Sequence, residues 1–150
     1  MIITFIGHGT ITNSHNLEDK VKCTIKNRIS QNEKAYFYCG GYGDFDKLCA
    51  SVCRQLKKEY PNTEIVYVTP YISVSYQEKM KYLTHSKLYD STIYPPLENT
   101  PPKFAISKRN EWMIANADIV ISYVIRSYGG AYKSLQFAKR KKKEIIELCD

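Results

Sequence analysis

No apolar run in this sequence approaches the roughly 20 residues that a membrane-spanning helix needs, so a helical membrane protein is not expected. The opening MIITFIGHGT lacks a basic flank, and its apolar run is too short for a secretory signal. It reads instead as the first β-strand of a cytoplasmic protein. Cysteine is sparse and odd in number: Cys23, Cys39, Cys49, Cys53 and Cys149, with no paired Cys-x-x-Cys motifs, which argues against a zinc knuckle. Reduced thiols fit such a chain. Cys49 and Cys53, four apart, share a helix face, where they read as small buried hydrophobes ahead of a metal or redox pair. Histidine is scarcer still. His8, His15 and His85 form no cluster with other ligands, so no metal and no cofactor is implied, and His15 and His85 receive no role.

With 43% hydrophobic and 25% charged residues, the chain has the composition of one globular domain spanning 1–150. Acidic residues are in deficit: 22 Lys and Arg against 15 Asp and Glu leave a net charge of +7. Such a balance suits nucleic acid and small anionic ligands alike. The cations are scattered except for one dense run, KRKKK at 139–143, which ends a predicted helix. Cations there complement the helix dipole and commonly face solvent, so nucleic-acid binding through 139–143 is the lesser alternative.

MIITFIG, AYFYC, EIVYVTP, DIVISYVI and EIIEL read as strands, and KLYDSTIYP has room for another short one. Helices are predicted from NLEDKVKCTIKNRIS, where Leu17, Val21, Ile25 and Ile29 recur every four residues, and from DKLCASVCRQLKKEY, with Leu48, Val52 and Leu56 on one face. YQEKMKYL, KFAISKRNEWMIANA and GGAYKSLQFAKRKKK supply the rest. PPLENTPP at 95–102 reads as an extended loop or lid, and the segment 84–104 has no assigned role. Alternation from end to end predicts an α/β fold, a Rossmann-like three-layer sandwich with a mainly parallel sheet between helices.

The seven glycines fall in three places: Gly7 and Gly9, then Gly40, Gly41 and Gly43, then Gly129 and Gly130. Each place follows a predicted strand or precedes a predicted helix, where glycine lets backbone approach a ligand and helix N-termini suit phosphate. The spacing fits neither a Walker A loop nor the dinucleotide fingerprint, since Asp46 stands where its third glycine belongs.

The motifs GHGTI (7–11), YCGGYGDFDKLCA (38–50), EIVYVTPYI (64–72), RNEWMIANADIVISYV (109–124) and SYGGAYKSLQFAKRKKKEIIEL (127–148) follow one another in an order that resembles the SLOG superfamily, and within it the YpsA-like branch. The resemblance implies a Rossmann-like fold that binds a nucleotide or nucleotide-derived ligand, with the Lonely-Guy phosphoribohydrolases and, further off, nucleoside deoxyribosyltransferases among its relatives. It places Gly40, Gly41, Gly43, Gly129 and Gly130 at a phosphate or ribose, Arg109 and Asn110 on the helix wall of the pocket, and His8 at its opening turn. The hydrolases carry Pro-Gly-Gly-x-Gly-Thr-x-x-Glu; here Cys39 replaces the proline, Asp44 the threonine and Lys47 the catalytic glutamate. Gly9 replaces the arginine usual after the opening Gly-His of the YpsA-like branch.

The expectation is therefore a module that senses or sequesters a nucleotide at the strand ends. An N-glycosidic hydrolase or transferase is the alternative, with Asp46 acting on the sugar as the catalytic carboxylate. Asp44 suits helix capping better. The ligand-binding set is Gly7, His8, Gly9, Gly40, Gly41, Gly43, Asp46, Arg109, Asn110, Gly129 and Gly130. Tyr42, Tyr71, Tyr128 and Tyr132 flank the same turns and are available for stacking, Trp112 reads as packing, and a homo-oligomer is expected from the family analogy.

Overall fold

The computed structural model describes residues 1–12 and 16–149; His15 lies outside the described residues. In chain order the strands are β1 (Ile2–Gly7), β2 (Ala35–Cys39), β3 (Thr63–Val68), β4 (Ser91–Ile93), β5 (Ile119–Tyr123) and β6 (Glu144–Glu147). Between them run helices α1 (Leu17–Lys26), α2 (Asp44–Lys57), α3 (Val74–His85), α4 (Ala105–Asn116) and α5 (Gly130–Arg140). The strands form one six-stranded sheet in the order β4-β3-β2-β1-β5-β6, and every pairing is parallel. This is the expected Rossmann-like α/β sandwich. The chain builds outward from β1 to β4, then returns to place β5 on the other side of β1. The topological switch point thus lies between β1 and β5, where ligands of such sheets sit.

Residue alternation along the strands divides the core into two layers. Ile3 and Phe5 of β1, Phe37 and Cys39 of β2, Ile65 and Tyr67 of β3 and Ile121 of β5 meet Leu17, Val21 and Ile25 of α1 and Phe45, Cys49, Val52, Cys53 and Leu56 of α2. On the opposite face Ile6 and Val120 pack against Ile114 and Ala138, while Val66 and Val68 pack against Met113. The face of α2 is centred on Phe45, Cys49, Val52 and Cys53, with Leu48 only partly buried against it. Burial pushes the thiols of Cys39, Cys49 and Cys53 well above their ordinary pKa, which keeps them protonated as small hydrophobes. Trp112 of α4 stacks on Tyr38 of β2 at 5.7 Å.

Candidate nucleic-acid interface

The switch point opens into a cleft of about 340 Å³ at the carboxyl ends of β1, β2 and β5, walled by α4 and the start of α5. Of the residues expected to bind ligand, Gly7, His8, Gly9, Gly40, Asp46, Arg109, Asn110, Gly129 and Gly130 line it, whereas Gly41 and Gly43 do not. The glycines separate into two kinds. A Cβ on Gly7 would lie 2.2 Å from the Phe45 ring, one on Gly40 2.8 Å from the Arg109 guanidinium, and one on Gly43 2.9 Å from Gly9. Gly41 adopts φ +70°, and its Cβ would meet the Tyr67 ring at 2.5 Å. These four serve close approach within the chain. Gly9, Gly129 and Gly130 instead have nothing within 4 Å of a notional Cβ, so their backbone is open to a ligand.

Asp46 faces the glycine turn. Its Oδ1 accepts the Gly40 N–H at 3.1 Å and its Oδ2 the Gly41 N–H, so both oxygens hold β2's exit in shape. Burial outweighs these donors and raises its pKa. Arg109 braces the same turn from behind. Its Nη1 donates to the Gly40 carbonyl at 2.9 Å and to the Val68 carbonyl at 2.8 Å, while Nε donates to Asn110 Oδ1 at 2.8 Å. At 2% exposure this guanidinium ties β2, β3 and α4 together, and burial lowers its pKa. Asp44 opens α2, and its Oδ2 accepts the Ile11 N–H at 3.0 Å, fastening the loop after β1.

His8 sets the far wall. Its Nε2 accepts the Ile125 N–H at 2.9 Å, which requires that nitrogen to be unprotonated and pins the loop after β5. Burial first, then the nearby Arg126 charge, lowers its pKa. That loop carries the cation that sequence reasoning missed. Arg126 lines the cleft, with its guanidinium 5.7 Å from the Tyr128 ring. Tyr42 and Tyr128 stand at the mouth, 72% and 67% exposed. The only sequence signal for Arg126 was its place between a strong strand and a glycine pair.

A second hollow of about 610 Å³ runs between α4 and α5, lined among others by Lys103, Tyr132, Lys133, Phe137 and Arg140. Ile106, Asn110, Gly130 and Ser134 belong to both hollows, so the cleft and this groove are continuous. Glu111, the only acid among the described residues of the groove wall, is 3.3 Å from the Lys108 ammonium. The basic run at 139–143 does not act as a unit. Lys143 donates to the carbonyls of Ala115 and Ala117 at the end of α4, and Lys139 lies 3.8 Å from Glu147. Arg140 reaches the groove, and Arg140 and Lys141 both lie over the Phe137 ring. Among the described residues no group of acidic, histidine and cysteine side chains is placed to hold a metal, and no helix is long and apolar enough to cross a membrane.

No family model matches this sequence. The chain is similar to the uncharacterized SPbeta prophage-derived protein YoqJ of Bacillus subtilis, 26% identical over 138 residues, covering 83% of this chain and 81% of that one. Among solved structures it resembles DNA processing protein A of Helicobacter pylori, described for its single-stranded DNA binding mode, with a TM-score of 0.64 and 17% identity over 100% of this chain and 66% of that one. DNA processing protein A of Streptococcus pneumoniae gives a TM-score of 0.66 and 12% identity over 99% of this chain and 50% of that one. The chain therefore spans just under two thirds of one of these proteins and half of the other. At these identities the likeness defines the class of fold, a Rossmann-like domain of the kind DNA processing proteins contain. It also corrects the expectation of a nucleotide-sensing module: the solved neighbours are DNA processing proteins, one of them a binder of single-stranded DNA.

Proposed function

We propose that this domain binds single-stranded nucleic acid along the path from the switch-point cleft to the end of α5. The observation that carries this reading is the continuity of the cleft with the α4–α5 groove. One channel thereby joins exposed aromatics at the mouth to Arg126, Lys133 and Arg140 along its length. Single strands are held by this combination: cations track the phosphates, and aromatic faces stack on unpaired bases whatever their sequence. The open backbone of Gly129 and Gly130 at the N-terminus of α5, with no acidic residue in its first turn, favours a phosphate at the cleft. Asp46 and Arg109 shape the floor, and Asn110 and His8 fix its walls. The strand-fold neighbours and the +7 charge support the same reading. The motif order supports placing the domain in the SLOG superfamily, and a homo-oligomer in the cytoplasm remains part of the proposal.

The salt dependence of oligodeoxynucleotide binding separates contacting cations from structural ones. For a single strand, each phosphate contact contributes roughly 0.7 to the slope of log K against log salt. Arg140→Ala is expected to lower that slope by about this amount, whereas Lys143→Ala, which removes a cation held by α4 carbonyls, is expected to leave it unchanged. Equal slopes for wild type and Arg140→Ala would place the strand elsewhere.

A further inference from the structure

A third cavity, of about 460 Å³, opens on the same sheet edge beyond β3 and β4, and the strand path just described does not use it. Its walls include Tyr71, Tyr76, Tyr94, Leu97 and Glu98, so the segment with no role in the sequence builds one side of it. Resting on the single-strand reading, we propose that this cavity is a stacking subsite for an unpaired base bearing an exocyclic amino group, adenine, cytosine or guanine as against thymine.

Three features argue for a base. The Tyr71 ring is fixed: its hydroxyl donates to the Pro102 carbonyl at 3.0 Å, and its centroid lies 5.0 Å from that of Tyr76 at 58°. Two tilted rings held this way, with Tyr94 beside them, present flat apolar faces at low entropic cost. Second, the Glu98 carboxylate is exposed and makes no hydrogen bond or ion pair among the described residues, so it is an acceptor awaiting an amino donor. Third, the Lys79 ammonium already lies 5.6 Å from the Tyr76 ring. Its charge opposes a cationic guest on those rings and welcomes the phosphate attached to a base.

Position agrees with chemistry. Ala105 lines this cavity and its chain neighbour Ile106 lines the cleft, so the first turn of α4 is a common wall. A strand leaving the cleft over that turn meets the tyrosines next.

The test compares dA, dC and dT 20-mers by fluorescence anisotropy on wild type, Tyr76→Leu, Glu98→Ala and Arg126→Ala, with folding checked by circular dichroism. Zero-length ultraviolet crosslinking of the dA and dC oligomers to the wild type, mapped by mass spectrometry, accompanies it. Tyr76→Leu is expected to weaken the dA and dC oligomers about tenfold, and Glu98→Ala, which leaves no side-chain acceptor, to remove their advantage over dT. Crosslinks are expected at Tyr71, Tyr76 or Tyr94. If wild type binds and Arg126→Ala weakens it, while Tyr76→Leu binds as wild type and crosslinks map only to Tyr42 or Tyr128, the subsite is refuted and the strand path stands. If wild type binds none of the oligomers, the single-strand reading fails and takes the subsite with it.

Discussion

Asp46→Ala distinguishes a carboxylate that shapes the cleft from one that acts on a ligand. The substitution removes the acceptors of two backbone donors, the N–H groups of Gly40 and Gly41, in a turn whose glycine at 41 is held at φ +70°. An unsatisfied buried donor costs about 1–3 kcal/mol. The Asp46 carboxylate is turned inward and desolvated, yet the residue keeps surface on the cleft, so water entering the space left by alanine replaces part of what is lost, and the expected total is about 2–3 kcal/mol. At roughly 2–4 °C per kcal/mol for a domain of this size, the melting temperature falls by about 4–12 °C. Asp46→Asn keeps one acceptor and is expected to lie between wild type and alanine. Thermal unfolding followed by circular dichroism gives the order. Oligonucleotide affinity measured well below the transition is expected to stay within about threefold of wild type, because both carboxylate oxygens are engaged by the Gly40 and Gly41 N–H groups and the strand's phosphates are met by cations elsewhere on the path. An unchanged melting temperature together with abolished binding or turnover would refute the reasoning and return Asp46 to the reacting centre.

The two kinds of glycine give opposite outcomes. Gly41→Ala, strained at positive φ and pressed on Tyr67, is expected to destabilise the fold by about 2–4 kcal/mol in urea titration. Gly130→Ala, open and helical, leaves stability unchanged or slightly raised and acts on strand affinity alone. His8 makes the loop after β5 sensitive to acid. Its pKa is lowered in the fold, so its contribution to stability is complete above the unfolded value near 6.5 and is lost as pH falls below that. Protonation puts a hydrogen on Nε2 against the Ile125 N–H. Denaturation titrations from pH 8 to 5 are expected to show wild type losing stability over the lower half, and His8→Asn losing less.

The sheet was legible because β1, β2 and β3 are largely apolar runs closed by glycine or proline and β5 is a long apolar run, and their alternation with amphipathic segments leaves few other topologies. Helix α2 was placed correctly, but its buried face was read from Leu48, Val52 and Leu56, whereas Phe45, Cys49 and Cys53 lead it. Treating the thiols as small hydrophobes was right, and applying that to the period would have found the face. At the cleft, sequence order could not tell a glycine that admits a ligand from one that admits Phe45 or Tyr67, since that depends on what lies across the gap. Arg109 has the planar cation suited to phosphate, yet the fold turns it onto the carbonyls of Gly40 and Val68. The run at 139–143 was read as a solvent-facing helix end, with nucleic-acid binding through the whole run as the lesser alternative. Packing divides it, with Lys143 fixed on the end of α4 and Arg140 in the groove.

The most direct measurement is the affinity of the purified chain for a fluorescent 20-nucleotide single strand and for the same sequence as a duplex, at fixed salt, with wild type and an Arg126→Ala, Lys133→Ala double variant. Both side chains are exposed and, among the described residues, make no hydrogen bond that holds the fold together. Preference of wild type for the single strand, reduced about tenfold or more in the double variant at unchanged melting temperature, is the result expected. Equal affinity for strand and duplex, or full single-strand affinity in the double variant, would contradict the path from the cleft to the end of α5.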